Sequence, residues 1–357
     1  MTSVRRRLPL LAAGALLALP AAASAAERRP QPLVRVAPQT TTFPDRVITG
    51  TGHVSARAAQ ATTKAYQAPD GTTIPVAFDA SYQPSDQVAQ TYVDYLGSLP
   101  HGPELSKLKL LLAPPATVAS DCGGADGTLA CYDAGTHQMI VPGEQIQSTT
   151  GVSTSYVIAH EYGHHIASFR SNVPFPALDW GPKYWASYEE VCNSTLQGRL
   201  APGDEGTFYR ANPGEGWAET YARLTYPDQP WTFAALLKPD AGALAAARRD
   251  VLDPWTAPAT ATYGGRFTPT GPSTKAFRFP LTLDGGLRIA LHGPARANYD
   301  LVVSSLGVRR GATKAAGSKD VIKWAAACRQ QRTENVTVQI VRRRSSGPFT
   351  VAVTYAG

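Results

Sequence analysis

The chain has 357 residues, 43% hydrophobic and 17% charged, and 34 Lys+Arg against 27 Asp+Glu give a formal net charge of +7. The charge is uneven: residues 262–357 hold 15 Lys+Arg and 4 Asp+Glu, a net +11, and the stretch between residue 27 and that region is acidic. Such a balance speaks to association with anionic wall polymers or lipid head groups and not to fold, and with no aromatic-basic motif in the chain nucleic acid is not an expected partner.

Residues 1–26 run through Arg5-Arg6-Arg7, an apolar stretch from Leu8 and the small residues Ala23-Ser24-Ala25-Ala26. A basic head, a short hydrophobic core and a small-residue cleavage site are the marks of a bacterial-type signal peptide, so a secreted or extracytoplasmic protein is expected. No later stretch is apolar over the roughly 20 residues that a transmembrane helix needs. Residues 27–75, rich in Pro, Thr, Ala and Arg, read as a linker or short pro-segment. Outside the cytoplasm four cysteines favour disulfides over a cysteine metal site. Cys122 and Cys131 flank the turn-rich Gly123-Gly124-Ala125-Asp126-Gly127, which leaves Cys192 to Cys328 as the most economical of the three connectivities.

From Ser85 the spacing of Val88, Tyr92, Tyr95 and Leu96 predicts a helix ending near Gly97 to Pro100. Residues 107–112 and 137–141 read as strands, the second stopped by Pro142-Gly143. Strands before an apolar helix suit a small sheet over an active-site helix, with 137–141 as the candidate edge strand for pairing with an extended peptide.

That helix carries His160-Glu161-Tyr162-Gly163-His164, an H-E-x-x-H arrangement. Positions i and i+4 share a helix face, so His160 and His164 can present imidazoles to one metal ion, with Glu161 beside it as a general base. With 7 His and 27 Asp+Glu in the chain, a chance match is expected on the order of one time in a hundred. Val157, Ile158, Ala159, Ile166 and Ala167 bury the helix, Ser153 and Thr154 offer N-cap oxygens, and Gly163 marks a close packing contact. His165 turns roughly 100° away from its neighbour and reads as a packed histidine.

A third ligand is required. The extended form H-E-x-x-H-x-x-G-x-x-H fails, since Ala167 and Arg170 stand at its last two fixed positions. Glu215 and Glu219 are again i and i+4 in a stretch of helical apolar spacing. One can bind the metal while the other accepts the free N–H of a ligating histidine; we assign Glu215 to the metal and Glu219 to the histidine. Glu189 and Glu190 are rivals for the third position, with Asp179 a weaker one.

His160-Glu161-Tyr162-Gly163-His164 followed by Asn212-Pro213-Gly214-Glu215-Gly216-Trp217-Ala218-Glu219 resembles the gluzincin metallopeptidases, and within them the anthrax lethal factor group, with its H-E-F-G-H and N-E-A-E-F-F-A-E segments. The match covers those two segments alone. The resemblance implies one zinc ion, Glu215 as its third ligand and a tyrosine shortly before it that stabilises the tetrahedral intermediate. Here Tyr209 lies one residue closer than the pattern and Phe208 stands at the matching offset. The N-E-x-x-S-D signature of thermolysin-like enzymes is absent.

Downstream, residues 172–184 read as a Pro- and aromatic-rich loop, and 231–237 and 243–249 as helices. Beyond them short alternating runs at 276–283, 286–291, 299–303, 336–341 and 349–355 predict an all-β sandwich. That part resembles small sandwich modules found C-terminal to secreted bacterial peptidases, chiefly in Tyr299-Asp300-Leu301-Val302-Val303 and Gly347-Pro348-Phe349-Thr350-Val351. The expected fold is therefore an α+β zincin-like catalytic domain over 76–255, then a smaller basic β-sandwich over 262–357. The expected function is a secreted zinc endopeptidase acting on peptide or protein, with Glu161 as base, Tyr209 as oxyanion donor and an anionic wall polymer as a partner of the sandwich. Two other readings stand beside it: a surface-binding protein with a structural or relict metal site, and a zinc amidase acting on peptidoglycan.

Overall fold

Alternating burial along short strands builds the first layer of the molecule. The structure, a computed structural model, describes residues 46–49, 63–123, 128–143, 153–314 and 316–357. The expected signal peptide, most of the expected linker and residues 124–127 between the first two cysteines lie outside the described residues.

In chain order the first part contains β1 (Val47–Ile48), β2 (Thr63–Gln67), β3 (Thr73–Phe78), α1 (Asp86–Ser98), β4 (Lys109–Ala113), α2 (Pro115–Asp121), β5 (Cys131–Asp133), β6 (Gln138–Pro142) and α3 (Thr154–Ser168). The strands form one sheet in the order β1-β5-β6-β4-β3-β2. β3, β4 and β6 run parallel to one another, β2 is antiparallel to β3 and β5 to β6, and β1 pairs parallel with β5. Leu110, Leu112, Met139 and Val141 point to the face that packs on α1 and α3, while Leu111, Ala113 and Ile140 point to the face of α2. Ser85 and Ser153 cap α1 and α3, each side chain accepting the backbone N–H three residues on.

Two expectations need correction here. Strands β1, β2 and the start of β3 fall inside the stretch read as linker, because β2 is an edge strand that buries only Tyr66 and so shows no apolar run. Residues 137–141 are not the edge: β6 lies inside the sheet, and the three-residue β5, too short to leave a periodic signal, lies outside it.

The second layer is helical, with α4 (Ala177–Trp180), α5 (Lys183–Tyr188), α6 (Val191–Leu196), α7 (Pro213–Ala222) and α8 (Ala241–Leu252). The stretch 172–184, expected as a loop, thus holds α4 and the start of α5. The helix expected over 231–237 is a single 3-10 turn at Ala235–Leu237. Pro230 and Thr232 disfavour a helix, and Ala234 N–H donates instead to the Arg210 carbonyl.

Residues beyond 258 form two four-stranded antiparallel sheets from β7 (Ala259–Phe267), β8 (Thr274–Leu281), β9 (Gly285–His292), β10 (Asn298–Ser305), β11 (Val308–Ala312), β12 (Val321–Ala327), β13 (Glu334–Arg344) and β14 (Gly347–Tyr355). Their orders are β11-β10-β13-β8 and β12-β9-β14-β7. Phe267, Leu291, Tyr299, Val338 and Val351 fill the space between them. The expected α+β part followed by an all-β part is thus observed; β7, β11 and β12 were not foreseen, since half or more of their side chains are exposed.

The two parts meet at a polar seam. Lys183 Nζ, fully buried, donates to the carbonyls of Val173 at 2.7 Å and Asp284 at 3.0 Å. Burial pushes its pKa down to about 8. Arg329 donates to Asp284 Oδ1 and to the Ser187 carbonyl. A disulfide joins Cys192 of α6 to Cys328 beside β12 with a Cα–Cα distance of 5.3 Å, and Cys122–Cys131 closes the other at 5.7 Å. Both pairings are the expected ones.

Candidate metal centre

Gly163 lets α3 and α7 touch. A Cβ on it would stand 2.8 Å from Ala218 Cα, and its carbonyl accepts from Trp217 Nε1 at 2.8 Å. Asn212 caps α7 by accepting the Gly214 N–H, and Pro213 follows at the first turn. The consequence is a meeting of two i, i+4 pairs across one helix–helix contact.

There His160 Nε2 lies 3.1 Å from Glu215 Oε2 and 3.2 Å from His164 Nε2, and His164 Nε2 lies 3.3 Å from Glu215 Oε2. His160, His164 and Glu215 are the cluster of three metal-capable donors among the described residues. A tetrahedral zinc site with bonds of about 2.0–2.2 Å has donor–donor edges of about 3.3–3.5 Å, close to these separations. His160 Nδ1 donates to Glu219 Oε2 at 3.3 Å, which leaves the Nε2 lone pair turned toward the cluster. Lone pairs gathered this way repel unless a positive charge lies among them. His164 Nδ1 and Glu215 Oε1 are buried with no hydrogen-bond partner among the described residues.

Electrostatics favour the ligand forms. Burial raises the Glu215 carboxyl pKa, and the His164 and His160 rings beside it more than offset that and hold it low. Burial keeps His164 neutral, against the pull of Glu215. The donor set, two imidazoles and a carboxylate, suits zinc.

Glu161 is fully buried on the same helix. Tyr209, in a 3-10 turn before α7, sets its ring tilted at 46° and 5.5 Å from that of Phe233, and Phe233 in turn lies 6.2 Å from the His160 ring at an interplanar angle of 16°. Phe233 was not foreseen, because it comes from an irregular stretch without periodicity; its only trace was the aromatic-rich run with Trp231.

The rivals lie elsewhere. Glu189 and Glu190 sit at the α5–α6 junction, Glu190 in the left-handed region with φ 55°. Asp179 is on α4, its carboxyl raised by burial. None joins the donor cluster. His165 points to the sheet, its Nε2 donating to the Glu104 carbonyl at 2.8 Å and its Nδ1 3.2 Å from the Tyr132 hydroxyl. Arg170, at the position of a third histidine in the extended motif, pairs with Glu104 at 2.9 Å.

No protein-family model and no curated protein sequence matches the chain. Among solved structures, the Yersinia pseudotuberculosis-derived mitogen is 15% identical, covering 28% of this chain and 86% of its own, with a TM-score of 0.23. The pre-peptidase C-terminal domain of collagenase from Bacillus anthracis is 11% identical over 26% of this chain and 88% of its own, TM-score 0.21. Aeromonas hydrophila PliG, a periplasmic inhibitor of g-type lysozyme, is 16% identical over 26% and 83%, TM-score 0.19. Nothing about activity follows from likeness at this level. Among the described residues no helix is long and apolar enough to cross a membrane, and the two disulfides fit an oxidising compartment.

Proposed function

We propose that the chain is a secreted zinc-dependent endopeptidase of the gluzincin kind. One observation carries the reading: His160 Nε2, His164 Nε2 and Glu215 Oε2 lie within 3.1–3.3 Å of one another, with Glu161 adjacent in the same helix. Zinc held by these three residues supplies, when bound, the Lewis acidity that lowers the pKa of a water to about 7 and polarises a carbonyl.

Every other step belongs to the chain. Glu161 takes the proton of the attacking water on its carboxylate and gives it to the leaving amine. Glu219 holds His160 in the tautomer whose Nε2 is free to ligate, and Tyr209 is the candidate donor to the oxyanion. The reading of residues 1–26 and the two disulfides support export. The net +11 of residues 262–357, with Arg309 and Arg310 exposed on β11, supports an anionic polymer as a partner of the sandwich.

The test is Glu161→Gln, assayed zinc-loaded on a mixed peptide library beside the parent with and without chelator. We expect parent cleavage that the chelator abolishes, and in the variant a loss of about 10²–10⁴-fold in kcat with zinc still bound. Equal rates would show that the base is wrongly assigned.

A further inference from the structure

Burial sorts the charge of the sandwich. Its acidic residues, Asp284, Asp300, Asp320 and Glu334, are each 3–5% exposed. All are bonded within this part: Asp284 to Arg329, Asp300 to Arg343, Asp320 to Thr313, and Glu334 to Ser305 and the Gln330 N–H. Arg278, Arg288, Arg309, Arg310 and Lys323, by contrast, stand exposed on its strands. The side-chain charge that the sandwich shows to solvent is therefore positive.

The hairpin of β10 and β11 adds an apolar element. Its loop is the pair Leu306-Gly307, between the partnered Ser305 and Val308, with φ of 49° and 75°. Positive φ at both places favours Asn-Gly, and a bulky side chain at the first is held against its backbone preference. Leu306 gains little packing in return: it is 40% exposed, and Val308 beside it is 54% exposed. An irregularity in the ladder at Val303 and Ser304 breaks the alternation of β11, so Val308, Arg309 and Arg310 are exposed in succession. The base of the hairpin is fastened, since Ser305 Oγ donates to the buried Glu334 carboxylate. Two exposed apolar side chains thus sit on a fixed turn with two guanidiniums directly behind them.

We propose that the turn at Leu306–Val308 seats in the interface of an anionic lipid bilayer, with Arg309 and Arg310 on the head groups. Such docking needs no peptidase activity. A soluble polyanion uses the arginines and leaves Leu306 and Val308 in water. A lipid interface takes both, because its head-group layer is anionic and the acyl boundary beneath it is apolar. Arginine stems lie along that boundary while their charged ends stay at the phosphates.

The test uses the exported form expected from the sequence, residues 27–357. It is co-sedimented with vesicles of phosphatidylcholine alone or in equal mixture with phosphatidylglycerol, and inorganic polyphosphate serves as the soluble polyanion. The parent is expected to bind the mixed vesicles and not the neutral ones. Leu306→Asn with Val308→Thr suits the turn and keeps the charge; it is expected to weaken vesicle binding about tenfold or more and to leave polyphosphate binding unchanged. Arg309→Gln with Arg310→Gln is expected to weaken both, vesicle binding by about 30-fold. In thermal unfolding Leu306→Asn should match or exceed the parent, and a lower midpoint would show that the leucine serves the turn, which overturns its role in docking. Absent vesicle binding by the parent, or equal binding to neutral vesicles, also overturns the proposal. So does vesicle binding that the Leu306 and Val308 changes leave intact, an outcome that makes the tip a polyanion site alone.

Discussion

Glu219 touches no metal position, yet it decides which nitrogen of His160 carries the proton. Removing it by Glu219→Ala leaves His160 Nδ1 buried without that acceptor, and zinc affinity is expected to fall about 10–100-fold. Competition with a zinc-chelating dye measures this, and an unchanged affinity would remove Glu219 from the centre. His165, next to His164 and facing away from the cluster, gives the molecule an acid limit. Burial lowers its pKa to about 4 from the ordinary 6.5, so between those values the unfolded chain binds a proton that the folded chain refuses. The stabilisation is complete above pH 6.5 and is lost as pH falls toward 4, by about 3 kcal/mol at most. Urea unfolding of metal-free protein between pH 4 and 7 should show this slope, and His165→Gln should flatten it.

At the scale of elements, the contact of α3 with α7 brings the two i, i+4 pairs together, and Gly163 is where it is tightest. Gly163→Ala gains about 1 kcal/mol of helix propensity and sets a methyl 2.8 Å from the Ala218 backbone, which the helices relieve only by moving apart. A net destabilisation of about 1–2 kcal/mol is expected in chemical denaturation, together with weaker zinc binding; a more stable variant with full zinc affinity would refute the close contact. The same helices show what could be read beforehand. His160, Glu161 and His164 were legible because a repeat of four is a property of one helix, and Glu215 with Glu219 because it recurs in a second. Phe233 was not, since it lies in an irregular segment and meets the His160 ring only through the fold. Strand β5 escaped for a related reason: three residues, all buried, show no alternation. The sandwich strands with clear alternation were visible, and those with mostly exposed side chains were not.

At the scale of the whole molecule, the described residues form one compact unit, with the seam joining its two parts. The Cys192–Cys328 bond spans 136 residues of sequence, so Cys192→Ser with Cys328→Ser is expected to lower stability by about 2–5 kcal/mol, measured by unfolding under oxidising conditions. No change would mean that Lys183, Asp284 and Arg329 already hold the parts together. Their bonds leave little freedom between the α+β part and the sandwich, in contrast to modules on a flexible leash, whose reach grows with linker length. If the sandwich rests on a cell surface, the half that carries the candidate metal centre stands at a set height and angle above it, like a blade fixed in its handle. Under the proposed peptidase activity, bonds at that height would be cut and others spared, so selectivity would come from where a target strand stands as well as from what it contains.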